Sequence, residues 1–376
     1  MTRAQARSLR FVDLSHVNAT VARDVLADVA ALIATGEFTN GPQVERFERA
    51  FATYCGAREC VGTSSGLDSL RLALIAAGVG QDDEVIVPAQ TFIATFEAVS
   101  QAGARPVVVD VSERDYNLDP DAVAAAVGPR TRCVLPVHLY GQMADMRRLS
   151  DLAERNDLRL VEDACQAHGA ERDDLRPGHA ATAAAFSFYP TKNLGALGDA
   201  GALITDDHAL AQNARSLRQH GERERYVSEC MGYTARLDTL QAAVLLRKLP
   251  LLDDWNRQRR EMADSYADAL ANAGDLRCLP VPSGSRPAWH LYPVRTAHAE
   301  PLAAFLAARG ITTGRHYPQP PHLSAAYAAL GHRRGEFPVA ERLAAELLSL
   351  PLFPGLSEGQ RAWVTDSVKE YFRHGV

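Results

Sequence analysis

Residues 158–205 read LRLVEDACQAHGAERDDLRPGHAATAAAFSFYPTKNLGALGDAGALIT. Three short apolar runs stand out in this stretch: LRLVED (158–163), AAAFSF (183–188) and GALIT (201–205). They have strand length without the polar–apolar alternation of a half-exposed sheet, so both faces of each strand are expected to be covered. Four similar runs come earlier: ECVG (59–62), EVIVP (84–88), RPVVVD (105–110) and RCVLPV (132–137). Between several of them apolar residues recur at helical spacing, as at Leu67, Leu70 and Leu74, or Met146, Leu149 and Leu152. Buried strands alternating with helices predict an α/β fold, a mostly parallel seven-stranded sheet flanked by helices.

Further along, 237–273 reads as one long helix, disturbed at Pro250. After Pro280-Val281-Pro282 the rhythm changes: WHLYPV (289–294) reads as a strand, 300–309 as a helix, and proline is dense over 318–321. The expected division is a large domain over 1–250, including N-terminal helices, and a smaller α/β domain over 251–376 entered by the long helix.

The chain has 376 residues, 47% apolar, with 40 Lys and Arg against 46 Asp and Glu and a formal net charge of −6. It can bury a large core, which excludes disorder and a disulfide-stapled small fold. The acidic balance argues against nucleic acid as a partner, since displacing phosphate counterions needs a basic face. The six cysteines form no CxxC pair and no zinc-ligand spacing, so no metal is expected and the thiols read as small buried apolar groups. The N-terminus lacks the apolar core of a signal peptide, and no run of 18 apolar residues occurs. The expectation is no membrane association and a cytoplasmic location.

Three constellations could carry chemistry. Gly62-Thr63-Ser64-Ser65-Gly66-Leu67 joins a strand to a helix; free N–H groups beside hydroxyls make a phosphate cradle, though the same residues suit an ordinary Ser N-cap. Glu162-Asp163 ends an apolar strand, where ligands of open α/β sheets bind, but an acid there can equally cap a helix. Lys192 follows the strand end Phe186–Tyr189 and precedes Gly195, Gly198 and Gly201, which let a loop fold closely on a ligand. A lone loop lysine is normally a solvated charge; with a reference pKa of about 10.4, only about one in 2,500 is a free amine at pH 7, a deficit of roughly 4.6 kcal/mol. An enzyme using it as a nucleophile must remove that deficit by desolvation, nearby cations or storage as an imine.

Together a phosphate cradle, a strand-end acid and a loop lysine are what pyridoxal phosphate requires: the phosphate, the pyridine nitrogen and the aldehyde each need one of them. The chain resembles the DegT-type nucleotide-sugar aminotransferases, which use this cofactor on the aspartate aminotransferase fold. The resemblance runs from Phe11-Val12-Asp13-Leu14 to Leu350-Pro351-Leu352 and is most specific at Val137–Gln142, Glu162–Gly169 and Ser187–Gly201. It implies Lys192 as the Schiff-base lysine and Asp163 as partner of the pyridine nitrogen. Phe92 would stack on the ring, Gln166 would lie near its phenolic oxygen, and Ser65, Gly66, Leu67 and Ser187 would hold the phosphate. Two subunits share each site in such enzymes, so Arg236 would reach the neighbour's phosphate from Thr234–Asp238, implying a homodimer. Structural readings stand beside these: Phe92 as plain core, Arg236 as a helix-end ion pair.

Phe-Tyr-Pro-x-Lys-Asn-Leu-Gly-Ala-Leu-Gly-Asp, Trp289-His290-Leu291 and His316–Leu323 are similar to the branch that aminates C3 of dTDP-linked 3-oxo-6-deoxyhexoses. By that resemblance the amino donor is L-glutamate, and Tyr189, Arg223, Arg225, Tyr226, His316, Tyr317 and His322 would meet the substrate. A UDP-linked 3-oxo-uronate, a dTDP-4-oxo-sugar, or a cofactor-binding regulatory role remain the alternatives. The chain has Thr234 where the family usually has Asn and Ala200 where it usually has Gly. A backbone position needing positive φ would disfavour Ala200.

Overall fold

The computed structural model describes residues 8–374. All seven expected runs are strands: β1 (Glu59–Thr63), β2 (Glu84–Pro88), β3 (Arg105–Val109), β4 (Thr131–Val134), β5 (Arg159–Asp163), β6 (Ala183–Ser187) and β7 (Gly201–Thr205). They form one sheet in the order β1-β7-β6-β5-β4-β2-β3. Only β7 runs antiparallel to its neighbours; the other pairs are parallel.

The run RCVLPV stops being a strand at Val134. Pro136 has no N–H to give a ladder, but its carbonyl accepts from Asp163 N at 2.9 Å, and His138 N donates to Asp163 O at 3.0 Å. The chain beyond β4 is thereby laid against the end of β5.

Helix Gly66–Ala76 begins where Ser65 Oγ accepts from Asp68 N at 3.1 Å, so the cap reading of this serine is realised. Leu70 and Leu74 face the core, while Leu67 is half-buried. Met146, Leu149 and Leu152 are all buried on helix Met146–Arg155, as their spacing predicts. The segment expected as one helix over 237–273 is two, Thr239–Lys248 and Leu252–Leu270, parted by a 3-10 turn at Leu249–Leu251. Pro250 lacks the N–H that a continuous α-helix would need there.

A smaller antiparallel sheet holds β8 (Arg277–Cys278), β9 (Tyr292–Arg295) and β10 (Leu347–Leu350), with β9 in the middle. WHLYPV becomes a strand only from Tyr292, because Trp289 takes a φ of 47°, outside extended geometry. Helix Ala299–Ala308 lies one residue before the expected range.

Alternate residues of the large sheet serve two cores. Val161, Ala183 and Ala185 face one that continues to Val294 and Leu350 of the small sheet. Leu160, Ala184 and Phe186 face the other, where Phe188 meets Phe47 and Phe51 edge to face with centroids 5.3 and 5.1 Å apart. The cysteines are free; Cys55, Cys60 and Cys133 are buried as expected, but Cys230 is exposed. Among the described residues no helix is long and apolar enough to cross a membrane.

Candidate active site

The three constellations converge. A cavity of about 770 Å³ is lined by Ser65, Gly66 and Leu67 beyond β1, by Asp163 and Gln166 beyond β5, and by Ser187, Tyr189 and Lys192 beyond β6. Phe92, His316 and Tyr317 complete the wall. A ligand there sits outside the carboxyl ends of parallel strands, where this architecture places its sites.

The phosphate cradle is built by close approach. A Cβ on Gly66 would stand 2.6 Å from Ser187 Cβ and 2.8 Å from Cys165 Sγ, so only glycine lets the helix N-terminus close onto β6. Gly201 packs on the Ser65 carbonyl with no room for a side chain. Free N–H groups of the first helical turn and the Ser65 and Ser187 hydroxyls therefore share one corner.

Asp163 is buried, and both carboxylate oxygens are held. Thr95 Oγ1 donates to Oδ2 at 2.9 Å and Cys165 N donates to Oδ1 at 3.2 Å. Phe92 is 51% exposed, which rules out the plain-core reading, and its ring lies 5.2 Å from that of Tyr317. Gln166 Oε1 accepts from Tyr140 N at 2.7 Å and its Nε2 donates to the Tyr317 hydroxyl at 3.2 Å, fixing the amide's orientation.

Lys192 is half-buried, and burial lowers its ammonium pKa against the opposing pull of Cys165 and Asp163. That is the direction a nucleophilic amine needs. Its loop is anchored on both sides. Asn193 Nδ2 donates to Asn256 Oδ1 and the Ala288 carbonyl, each at 2.8 Å. Lys248 Nζ, itself buried and pushed down to about 8 by that burial, donates to Gly195 O at 2.7 Å. Gly195 lies so close to the Pro190 carbonyl that no Cβ fits. Ala200 is not among the positive-φ residues, so its ordinary backbone accepts alanine where the family usually has glycine.

The remaining sites fall elsewhere. Arg223, Arg225, Tyr226 and Arg236 line a separate, larger depression of about 1350 Å³, where Arg236 Nη1 lies 3.4 Å from His220 Nε2. Thr234 Oγ1 is also 3.4 Å from that nitrogen. The partner found for Arg236 among the described residues is thus His220, not a carboxylate at a helix end. The chain does not bring these residues to its own Lys192. Neither is His322 brought there: it is buried against Phe337, 4.7 Å between ring centroids, with Glu341 3.4 Å away.

Three groups had no sequence signal sufficient to place them. His290 enters the cavity wall through the turn at Trp289, and its pKa is held well below the usual value by burial and by Lys192. Arg259 lines the cavity from helix Leu252–Leu270, where spacing alone marks it as one charge among many. Thr95 could have been read only from the helical i, i+4 spacing from Thr91, whose hydroxyl lies 2.7 Å from its own.

Residues 20–369 match the DegT/DnrJ/EryC1/StrS aminotransferase family. The chain is 45% identical over 370 residues, 98% of each chain, to the dTDP-3-amino-3,4,6-trideoxy-alpha-D-glucose transaminase of Streptomyces venezuelae. It is 48% identical over 347 residues, 92% of this chain and 95% of the other, to the erythromycin biosynthesis sensory transduction protein EryC1 of Saccharopolyspora erythraea. The crystal structure of S. venezuelae DesV superposes with a TM-score of 0.96 at 44% identity, covering 98% of this chain and all of the other. The chain belongs to the DegT/DnrJ/EryC1/StrS aminotransferase family.

Proposed function

We propose that this protein is a pyridoxal phosphate-dependent transaminase that moves an amino group from L-glutamate to C3 of a dTDP-linked 3-oxo-6-deoxyhexose. The observation that carries the chemistry is the meeting of Lys192, Asp163 and the Ser65-Gly66 helix start around one cavity. The substrate class rests on the similarity to the S. venezuelae sugar transaminase.

The residues present fit the cofactor. The close-packed corner at Gly66 and Ser187 suits its phosphate, the doubly held Asp163 its ring nitrogen, and the exposed face of Phe92 its ring. Bound there, pyridoxal phosphate supplies an electron sink for negative charge at the donor's α-carbon. Asp163 would hold a proton on the ring nitrogen. Lys192 Nζ would hold the cofactor's aldehyde carbon and, as a neutral amine, would take the donor's α-carbon proton and give it up again as general acid. His290 and His316, both held neutral, add no competing positive charge beside that amine; burial and the Lys192 charge bring His316 down to about 4. With the oxo-sugar, Lys192 would serve the same proton movements in reverse.

The protein is a homodimer with shared sites in this reading. Its support is the separation of Arg223, Arg225 and Arg236 from Lys192 within one chain. Those arginines would meet the neighbour's substrate diphosphate and cofactor phosphate, a local basic surface compatible with a net charge of −6.

Borohydride reduction of the cofactor-loaded protein should leave the cofactor covalently on the peptide containing Lys192, and Lys192→Ala should abolish that adduct. Incubation with L-glutamate and a panel of dTDP- and UDP-linked 3-oxo and 4-oxo sugars, read by mass spectrometry, should yield the 3-amino dTDP product. An adduct that persists in Lys192→Ala, or amination of only the 4-oxo or UDP-linked sugars, refutes the reading.

A further inference from the structure

Arg259 is a buried cation that no acid among the described residues neutralises. It is 5% exposed on helix Leu252–Leu270, and its guanidinium makes no salt bridge to a carboxylate of those residues. Nη1 is committed to three backbone carbonyls, Trp289 O at 3.1 Å, His290 O at 3.3 Å and Leu352 O at 3.0 Å. Among the described residues Nε is buried without any partner, and no hydrogen bond uses Nη2. Burial alone pulls this arginine down to about 10. Leaving a buried cation unpaired is costly, and the usual remedy is an anion.

The position says which anion. Arg259 is the arginine that lines the Lys192 cavity among the described residues, and both Lys192 and Arg259 act on the His290 ring. Arg259 and Lys192 thus share one cavity wall with His290. The arginines suited to a diphosphate lie in the separate outer depression. A transaminating lysine handles two substrates, and the amino acid is the one with a carboxylate on the very carbon that loses its proton. A planar guanidinium pinned by Nη1 offers such a carboxylate a fixed, directional donor.

We propose that Arg259 is the recognition site for the α-carboxylate of the amino donor and of its oxo-acid product. The assignment rests on the transaminase reading and deepens it by giving the two half-reactions different binding groups. Arg259 would orient the donor so that its α-hydrogen faces Lys192, and it would play no part in holding the sugar.

Two measurements test this. In the cofactor-loaded enzyme, Arg259→Lys keeps a positive charge to meet the three carbonyls but loses the fork. Glutarate, a dicarboxylate without an amine, should bind this variant at least about tenfold more weakly than wild type by calorimetry, as expected for loss of a charge-assisted hydrogen bond. The donor half-reaction, followed by the cofactor's absorbance, should show a matching rise in KM for L-glutamate. Amination of the oxo-sugar by the pyridoxamine form should change less than about threefold, within the scatter of a neighbouring side-chain change. Equal losses in both half-reactions, or unchanged glutarate binding, would overturn the proposal. The second measurement needs no variant: wild type should react at least about tenfold less efficiently with the α-amide of glutamate than with glutamate, since the amide has no charge for Arg259. Equal reactivity of the two would overturn it. A wild type inert to every amino acid, yet carrying the cofactor on Lys192, would instead refute the transaminase reading itself.

Discussion

Thr95 Oγ1 donates to Asp163 Oδ2 at 2.9 Å from the first turn of helix Ile93–Gln101, and both residues are buried. Because that hydrogen is spent on the carboxylate, the 2.7 Å contact with Thr91 makes Thr91 the donor and Thr95 the acceptor. The two threonines thus form a relay that ends on the acid, with Cys165 N on its other oxygen. An acid held this way can present one lone pair to a ring nitrogen without rotating. Phe92, whose ring would meet the cofactor's face in the proposed reading, immediately precedes the same helix. One helix start would therefore supply two of the cofactor's contacts.

Thr95→Val removes the donor at nearly constant volume and leaves Asp163 one fewer restraint. The half-reaction with L-glutamate should slow about tenfold, about 1.4 kcal/mol, while cofactor still binds. Thr95→Ser should recover most of the rate. Stopped-flow absorbance checks both; an unchanged rate in Thr95→Val would show that the relay does not orient the acid.

Gly66→Ala tests the phosphate corner. The added Cβ would meet Ser187 Cβ and Cys165 Sγ at under 3 Å, so the helix start must move away from β6. Overpacking of this kind costs about 1–3 kcal/mol, and here it falls on the cradle. Cofactor affinity, titrated by fluorescence, should drop at least about tenfold, with a smaller loss of thermal stability in the cofactor-free protein.

The strands and the ordered set Ser65, Asp163 and Lys192 were legible in the sequence because buried β-strands are continuous apolar runs and the polar residues at their ends interrupt them. The single helix expected over 237–273 was not, because Pro250 acts through a missing N–H that apolar spacing does not register. His322 read as a site residue from its neighbours His316 and Tyr317, yet the 3-10 turn Pro321–Leu323 turns it into a pocket of its own beside Phe337. Arg259 went unread for the opposite reason: what fixes its guanidinium is carbonyls 30 and 93 residues away in the chain, at Trp289 and Leu352.

His168 makes acid sensitivity testable. It is fully buried between the Phe186 and Phe188 rings, and neither ring nitrogen completes a hydrogen bond, although the Ser187 backbone lies near enough to act on it. Burial first, then the Lys192 charge, lowers its pKa to about 3. The unfolded chain, with an ordinary histidine near 6.5, therefore binds the extra proton between about pH 6.5 and 3. Stability contributed by keeping this ring neutral is present above that window and is lost as pH falls through it, at up to about 1.4 kcal/mol per pH unit. His168→Phe should flatten the loss and leave stability near pH 8 equal or higher, since no hydrogen bond is sacrificed. Urea unfolding at pH 8 and pH 5 checks the sign; a variant that is weaker at pH 8 by more than about 1 kcal/mol would mean the ring has a polar partner.

Shared sites make a prediction that no monomer can imitate. If Arg236 acts in the neighbour's cavity, Lys192→Ala and Arg236→Ala remove parts of the same site from different chains. Each homodimer should be impaired, Lys192→Ala completely. In a mixed dimer one site carries both losses and the other carries neither. Random exchange makes half the dimers mixed with one intact site each, so the mixture should regain about a quarter of wild-type activity. Tyr226, 81% exposed, and Met231, 94% exposed, are apolar surface that such pairing would cover. Unfolding and refolding the two variants together, then assaying transamination, gives the readout. If the mixture shows only the average of the two parents, Arg236 serves the cavity of its own chain or none.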